Sequence, residues 1–208
     1  MAKIIKRLKT GTTTVGLTCK DGIVLASDKR VTMGSFIASR EVDKIYKIDD
    51  TLGMTVAGGV GDAQALVRIL QAEVNLYKYR MDKPMNAKAA AMILANLLQN
   101  YKFFPFYVQL LIGGTSEQNE IYSLDAFGGS TREKMAATGS GSPIAYGLLE
   151  SEFDEDSTVE DTIQLAARAV SIAMKRDSAT GEGIEIVTLT KNGYKRYSKD
   201  EVQKILMK

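Results

Sequence analysis

The chain has 208 residues, a net charge of +2 and a charged fraction of 25%, which excludes a strong electrostatic pull toward nucleic acid or an anionic membrane. It holds no histidine, which removes Ser-His-Asp and Cys-His catalysis and most catalytic zinc sites. Cys19 is its single cysteine, so there is no disulfide within the chain, and the 45% of hydrophobic residues suffices for the core of one large domain.

The start, Met1-Ala2-Lys3-Ile4-Ile5-Lys6-Arg7-Leu8-Lys9, is basic. Its apolar pieces fall short of the ~7 to 15 residues of a signal-peptide core. No apolar run reaches the ~18 residues of a bilayer span. The expectation is a cytoplasmic protein whose start is either a disordered tail or a removable leader.

Thr10-Gly11-Thr12-Thr13-Thr14-Val15-Gly16 follows. Its β-branched series predicts a strand over 12–19, and Lys20-Asp21-Gly22 offers a hairpin turn into a second strand over 23–27. The Gly11-Thr12 bond admits another reading. Cutting it would give Thr12 a free α-amine beside its hydroxyl. One residue would then carry a nucleophile and a base, since an α-amine titrates near pH ~8. A chain without histidine suits such a base. Cys19 lies in strand-like sequence and reads as a buried, inert thiol.

Asp28-Lys29-Arg30 ends the second strand with charge, read at this point as a solvated strand end. Residues 31–39 are loop-like. Strands are predicted over 44–48 and 52–57, with Asp49-Asp50 as the turn. Lys44, opening the first of these, reads as an edge lysine. After Gly58-Gly59 the period turns helical: Val60, Ala63, Leu66, Val67, Leu70 and Val74 share one face to about Tyr79. A second helix runs from Ala87 to about Tyr101.

Strands return over 107–112, 120–126 and about 133–138. Gly139-Ser140-Gly141-Ser142-Pro143 then leads into a helix over about 144–150. That loop lacks the Walker lysine and the Rossmann spacing, which argues against a nucleotide site. Thr158 is a candidate N-cap for a long helix to Lys175. Arg176-Asp177-Ser178-Ala179-Thr180-Gly181 is a polar turn, followed by strands over 184–190 and 193–197 and a last helix over 199–207. No composition break marks a second domain. Pairs of helices between antiparallel strands do not read as βαβ crossovers, so the expected architecture is an α+β, four-layer αββα sandwich.

Five segments in this order, Gly11 to Gly16, Ala26 to Thr32, Gly53 to Gly58, Gly139 to Pro143 and Arg176 to Gly181, resemble the β subunits of the proteasome core particle, of archaeal type. The resemblance covers nearly all of the chain after the start, and that family has the αββα fold of N-terminal-nucleophile hydrolases. It implies that Met1 to Gly11 is a removable leader and that 12–208 is a single catalytic domain. Thr12 matches the nucleophile, and Asp28 and Lys44 the acid–lysine pair beside it. Ser140, Asp177 and Thr180 match the polar group supporting the amine; the family usually has serine at the last position, and the hydroxyl is retained. Gly58 matches the glycine whose N–H serves the oxyanion, and Val31, Val42 and Val56 match the wall of the pocket for the residue before the cut. The implied activity is a threonine endopeptidase, self-activated by cleavage at Gly11-Thr12, needing no cofactor and cutting broadly after hydrophobic residues. The implied partners are a heptameric β ring, a second such ring, two α rings, an ATP-dependent unfoldase and unfolded protein substrates. The rival expectations are a non-catalytic ring subunit and a small-molecule amidase of the same fold.

Overall fold

A computed structural model describes residues 11–207; the expected leader, apart from Gly11, lies outside the described residues. The strands are β1 (Thr13–Cys19), β2 (Gly22–Asp28), β3 (Val31–Met33), β4 (Phe36–Ser39), β5 (Ile45–Asp49), β6 (Leu52–Gly58), β7 (Val108–Gly114), β8 (Glu120–Leu124), β9 (Ser130–Glu133), β10 (Met135–Gly139), β11 (Ile184–Thr190) and β12 (Gly193–Arg196). The helices are α1 (Val60–Met81), α2 (Ala87–Asn100), α3 (Ser142–Glu152), α4 (Val159–Arg176) and α5 (Lys199–Leu206). One sheet has the order β10-β1-β2-β11-β12, the other β5-β6-β7-β8-β9, and every pairing is antiparallel.

The strand period sorts side chains into three cores. On β2, Val24 and Ala26 face outward into a cluster with Ala145, Leu149, Ile163 and Val170 of α3 and α4. Ile23 and Leu25 face inward, where they meet Ile45, Ile121, Val187 and Leu189 between the sheets. Leu52, Met54 and Val56 of β6 pack outward against Leu66, Leu70, Leu94 and Leu98 of α1 and α2. The result is the expected αββα sandwich. Small residues bring the sheets together: a Cβ at Gly53 would lie 3.0 Å from Leu25 Cδ1, and one at Gly16 3.3 Å from Leu111 Cδ1. Among the described residues, no helix is long and apolar enough to cross a membrane.

The structure corrects three sequence expectations. Residues 130–139 form two strands, not one, and they belong to different sheets, so the chain crosses the sandwich at Lys134. The stretch expected as loop carries the β3–β4 hairpin, turning at Gly34 with φ 64°. The strand expected to end at 112 runs on through Gly113 and Gly114, paired with Gly53 and Leu52.

Candidate active site

Register brings distant residues to one sheet end. Thr13 pairs with Gly139 on one side, and Thr14 pairs with Ser27 on the other. The start of β1 therefore lies between Ser140, just past β10, and Asp28, the last residue of β2. Ile184 pairs with Asp28, which swings the 177–181 turn alongside. Lys44 and Gly58 come from the opposite sheet, just before β5 and at the end of β6.

Asp28 is fully buried. Its Oδ1 accepts from Thr13 N–H at 2.9 Å and from Lys44 Nζ at 2.6 Å, and its Oδ2 from Arg30 N–H at 3.1 Å and Gly181 N–H at 2.9 Å. Four donors satisfy a carboxylate that would otherwise be costly to bury. Lys44 is 4% exposed, so neither the edge-lysine reading nor the solvated strand end survives for this pair. Lys44 Nζ also donates to Arg30 O at 2.6 Å. An ammonium has three donors, so one remains for the pocket beside Thr12. Burial pushes the Lys44 amine below the usual lysine range, against the opposing pull of the Asp28, Glu185 and Asp177 carboxylates.

Thr12 is 4% exposed. Its Oγ1 donates to Gly11 O at 2.7 Å, and its N–H donates to Ser140 Oγ at 3.2 Å. Ser140 Oγ and Thr180 Oγ1 both donate to Asp177 Oδ2, at 2.5 and 2.6 Å. Thr13 Oγ1 lies 2.8 Å from Thr180 Oγ1. Because the Thr180 proton goes to Asp177, Thr13 supplies the proton in that contact. The Ser140 proton is likewise engaged by Asp177, which leaves a Ser140 lone pair facing the Thr12 nitrogen.

Thr12, Lys44, Gly58, Val31, Val42 and Val56 line one pocket. The three valines come from β3, the β4–β5 connection and β6. Gly11 also lines it, and so do Tyr46, Val60, Ala63 and Asp43, whose place here escaped the sequence reading. Tyr46 lies two residues beyond Lys44, the period of a strand face, and Val60 and Ala63 are one helical turn apart, so both spacings were available as signals. Gly58 has φ 138°, and a Cβ there would lie 2.0 Å from Tyr107 O, so only glycine fits. A groove of about 740 Å³ shares Gly11 and Gly58 with that pocket and is lined also by Phe127, Ser140, Asp177 and Ala179, among others. Cys19 is remote from this arrangement; its thiol is buried and pushed up to about 11, first by burial and then by Asp21.

Comparison with known proteins gives the same direction as the geometry. Residues 8–189 match the model of the family described as Proteasome subunit. The chain belongs to the proteasome subunit family. It is 51% identical to the proteasome subunit beta of Archaeoglobus profundus, over 99% of this chain and 97% of that protein. It is 53% identical to that of Methanohalophilus mahii, over 97% of this chain and 96% of that protein. A proteasome subunit is one part of a multi-subunit peptidase particle, so the site described above belongs to a chain built to work in an assembly.

Proposed function

We propose that the chain is a catalytic β-type subunit of a proteasome core particle and acts as a threonine endopeptidase. The observation that carries this reading is the meeting of Thr12 with the buried Asp28–Lys44 pair at a pocket with apolar walls. Removal of residues 1–11 would free the Thr12 amine at the position whose nitrogen now lies 3.2 Å from Ser140 Oγ. The nearby Lys44 ammonium disfavours a second positive charge and so keeps more of that amine as free base near neutral pH. Thr12 Oγ then attacks the substrate carbonyl, passing its proton to the amine. The Gly58 N–H steadies the oxyanion, the amine returns the proton to the leaving nitrogen, and an acyl-enzyme ester forms. Water, activated by the same amine, hydrolyses the ester and restores Thr12. In this reading the subunit acts in a heptameric β ring, stacked on a second β ring and between α rings, on unfolded protein delivered by an ATP-dependent unfoldase.

The test is Thr12→Ala in a particle with no other active β type. An assembled particle without peptidase activity is expected. Substantial turnover by that particle would show that Thr12 is not the nucleophile.

A further inference from the structure

Glu185 is a buried carboxylate that the chemistry above leaves unused. It lies on β11, is 3% exposed, and pairs in register with Ser27, the residue before Asp28. Its Oε2 accepts from the backbone N–H of Lys44 at 3.2 Å and from Ser27 Oγ at 3.3 Å. Its Oε1 lies 2.7 Å from Arg196 Nη1, paired by charge although off the line of a hydrogen bond. Arg196, on β12, donates through Nη2 to Ile45 O at 2.6 Å and through Nη1 to Asp43 Oδ2 at 2.6 Å. One ion pair therefore grips the chain at the residues before, at and after Lys44.

Replacing a buried ion pair by well-packed apolar residues is often neutral or stabilising, so stability alone is weak ground for keeping a carboxylate here. Burial pushes its pKa up and Arg196 holds it down. We infer that Glu185, with Arg196, is a positioning residue for Lys44: it fixes the lysine backbone opposite Asp28 and places a carboxylate in the same buried region as the ammonium. This rests on the reading of Lys44 as the cation that tunes Thr12.

The electrostatic surroundings set the sign of its effect. Lys44 feels Asp28 from β2, Asp177 from the end of α4 and Glu185 from β11, all favouring its charged form against burial. Glu185 in turn faces Arg196 and Tyr194 from β12, Tyr46 from β5, and Asp43 and Lys29 from the connections. Removing the Glu185 charge withdraws one of three anions, so Lys44 loses its proton at lower pH. If activity needs the ammonium, the alkaline limb of the rate profile follows it downward.

The experiment uses the assembled, processed particle and a peptide substrate. Glu185→Gln keeps an oxygen for the Lys44 N–H but removes the charge. Its kcat profile should fall at lower pH on the alkaline side than that of wild type, with KM changed less than about twofold. Glu185→Asp, which keeps the charge, should hold the limb near its wild-type position. Arg196→Lys keeps the cation but gives up the fork to Ile45 O, and should lower kcat about tenfold through misplacement of Lys44 without moving the limb. Superimposable profiles for Glu185→Gln and Glu185→Asp would overturn the inference. Should Glu185→Gln fail to assemble, Arg196→Lys decides, and a wild-type kcat there overturns it. Wild-type turnover near neutral pH by a Lys44→Ala particle would overturn the underlying reading instead, so the two failures are separable.

Discussion

Four donors converge on the Asp28 carboxylate, one of them the buried Lys44 ammonium. Asp28→Asn would turn one acceptor into a donor facing donors and leave Lys44 buried without its closest anion. Breaking a buried pair from one side costs about 3–5 kcal/mol. We expect a lower melting temperature of the assembled particle and peptidase turnover near background, read by thermal denaturation and peptide hydrolysis. A variant with wild-type melting and turnover would remove Asp28 from both roles. The residue types here were legible, and the five-segment resemblance pointed to Thr12, Asp28 and Lys44. Burial was not. Asp28-Lys29-Arg30 looks solvated in sequence because nothing local shows that a turn 153 residues away supplies the Gly181 N–H. Glu185 stayed hidden for a related reason. Ile184-Glu185-Ile186 alternates like a strand with one wet face, and only the second sheet dries that face.

At the scale of elements, legibility followed the apolar period. The long helices packed on a sheet were readable, with Thr158 capping α4 through Asp161 N–H. The β3–β4 hairpin was not, because Met33 and Phe36 are exposed and no core imposes a pattern on so short a pair. The β9–β10 crossing at Lys134 carries no glycine or proline to mark it. Two predictions belong here. The pocket beside Thr12 draws valines from three segments, Val31, Val42 and Val56, and an apolar wall favours an apolar side chain. One methylene is worth about 1–3 kcal/mol in such a pocket, so selectivity should be broad but directional. Matched peptides should be cut faster after large apolar than after acidic residues, and the reverse order would refute the assignment. The second concerns α5. Ser198 and Glu201 form a reciprocal capping box, and Lys195 pairs with Glu201. Hydrogen bonding from the Ser198 backbone, then from Lys195, lowers the Glu201 pKa to about 2 from an ordinary 4.5. A depressed carboxylate contributes stability above its unfolded value and loses it as pH falls toward its folded one. Between about pH 4.5 and 2, α5 should therefore fray, seen as lower amide protection near Val202, measured against the intrinsic exchange rate at each pH, than at pH 7. Glu201→Gln should make that protection insensitive to pH over the same window.

At the scale of the whole molecule, the sandwich puts the start of β1 at one open end, where both sheets supply groups to Thr12. Gly11 lines both the valine pocket and the larger groove. This placement bears on how residues 1–11 would be removed. While Gly11 is attached, the Thr12 nitrogen is an amide and cannot act as a base, so the precursor should be inactive on added peptides. The Thr12 hydroxyl can still attack the Gly11 carbonyl, whose oxygen it already contacts at 2.7 Å. The attack forms an ester C–O bond as the Gly11-Thr12 C–N bond breaks and the hydroxyl proton passes to the nitrogen, which frees the amine; water then hydrolyses the ester and releases the leader. Gly11 is held for this step by its N–H, which donates to Thr32 Oγ1 at 3.0 Å. A Cβ on Gly11 would lie 1.7 Å from Ala179 Cβ and 2.8 Å from Ala179 Cα, so backbone must move to admit it. Displacing a reacting bond by about 1 Å costs on the order of 100-fold in rate. Gly11→Ala should therefore assemble with α subunits yet process about 100-fold more slowly, leaving mostly full-length chains by intact mass and little peptidase activity. The same substitution is irrelevant once Thr12 is the first residue, so a chain produced to start at Thr12 should be active without any leader. Wild-type chains co-assembled with α subunits should begin at Thr12 by N-terminal sequencing. An active particle whose β chains begin elsewhere, or Gly11→Ala chains maturing at the wild-type rate, would overturn self-cleavage at this bond.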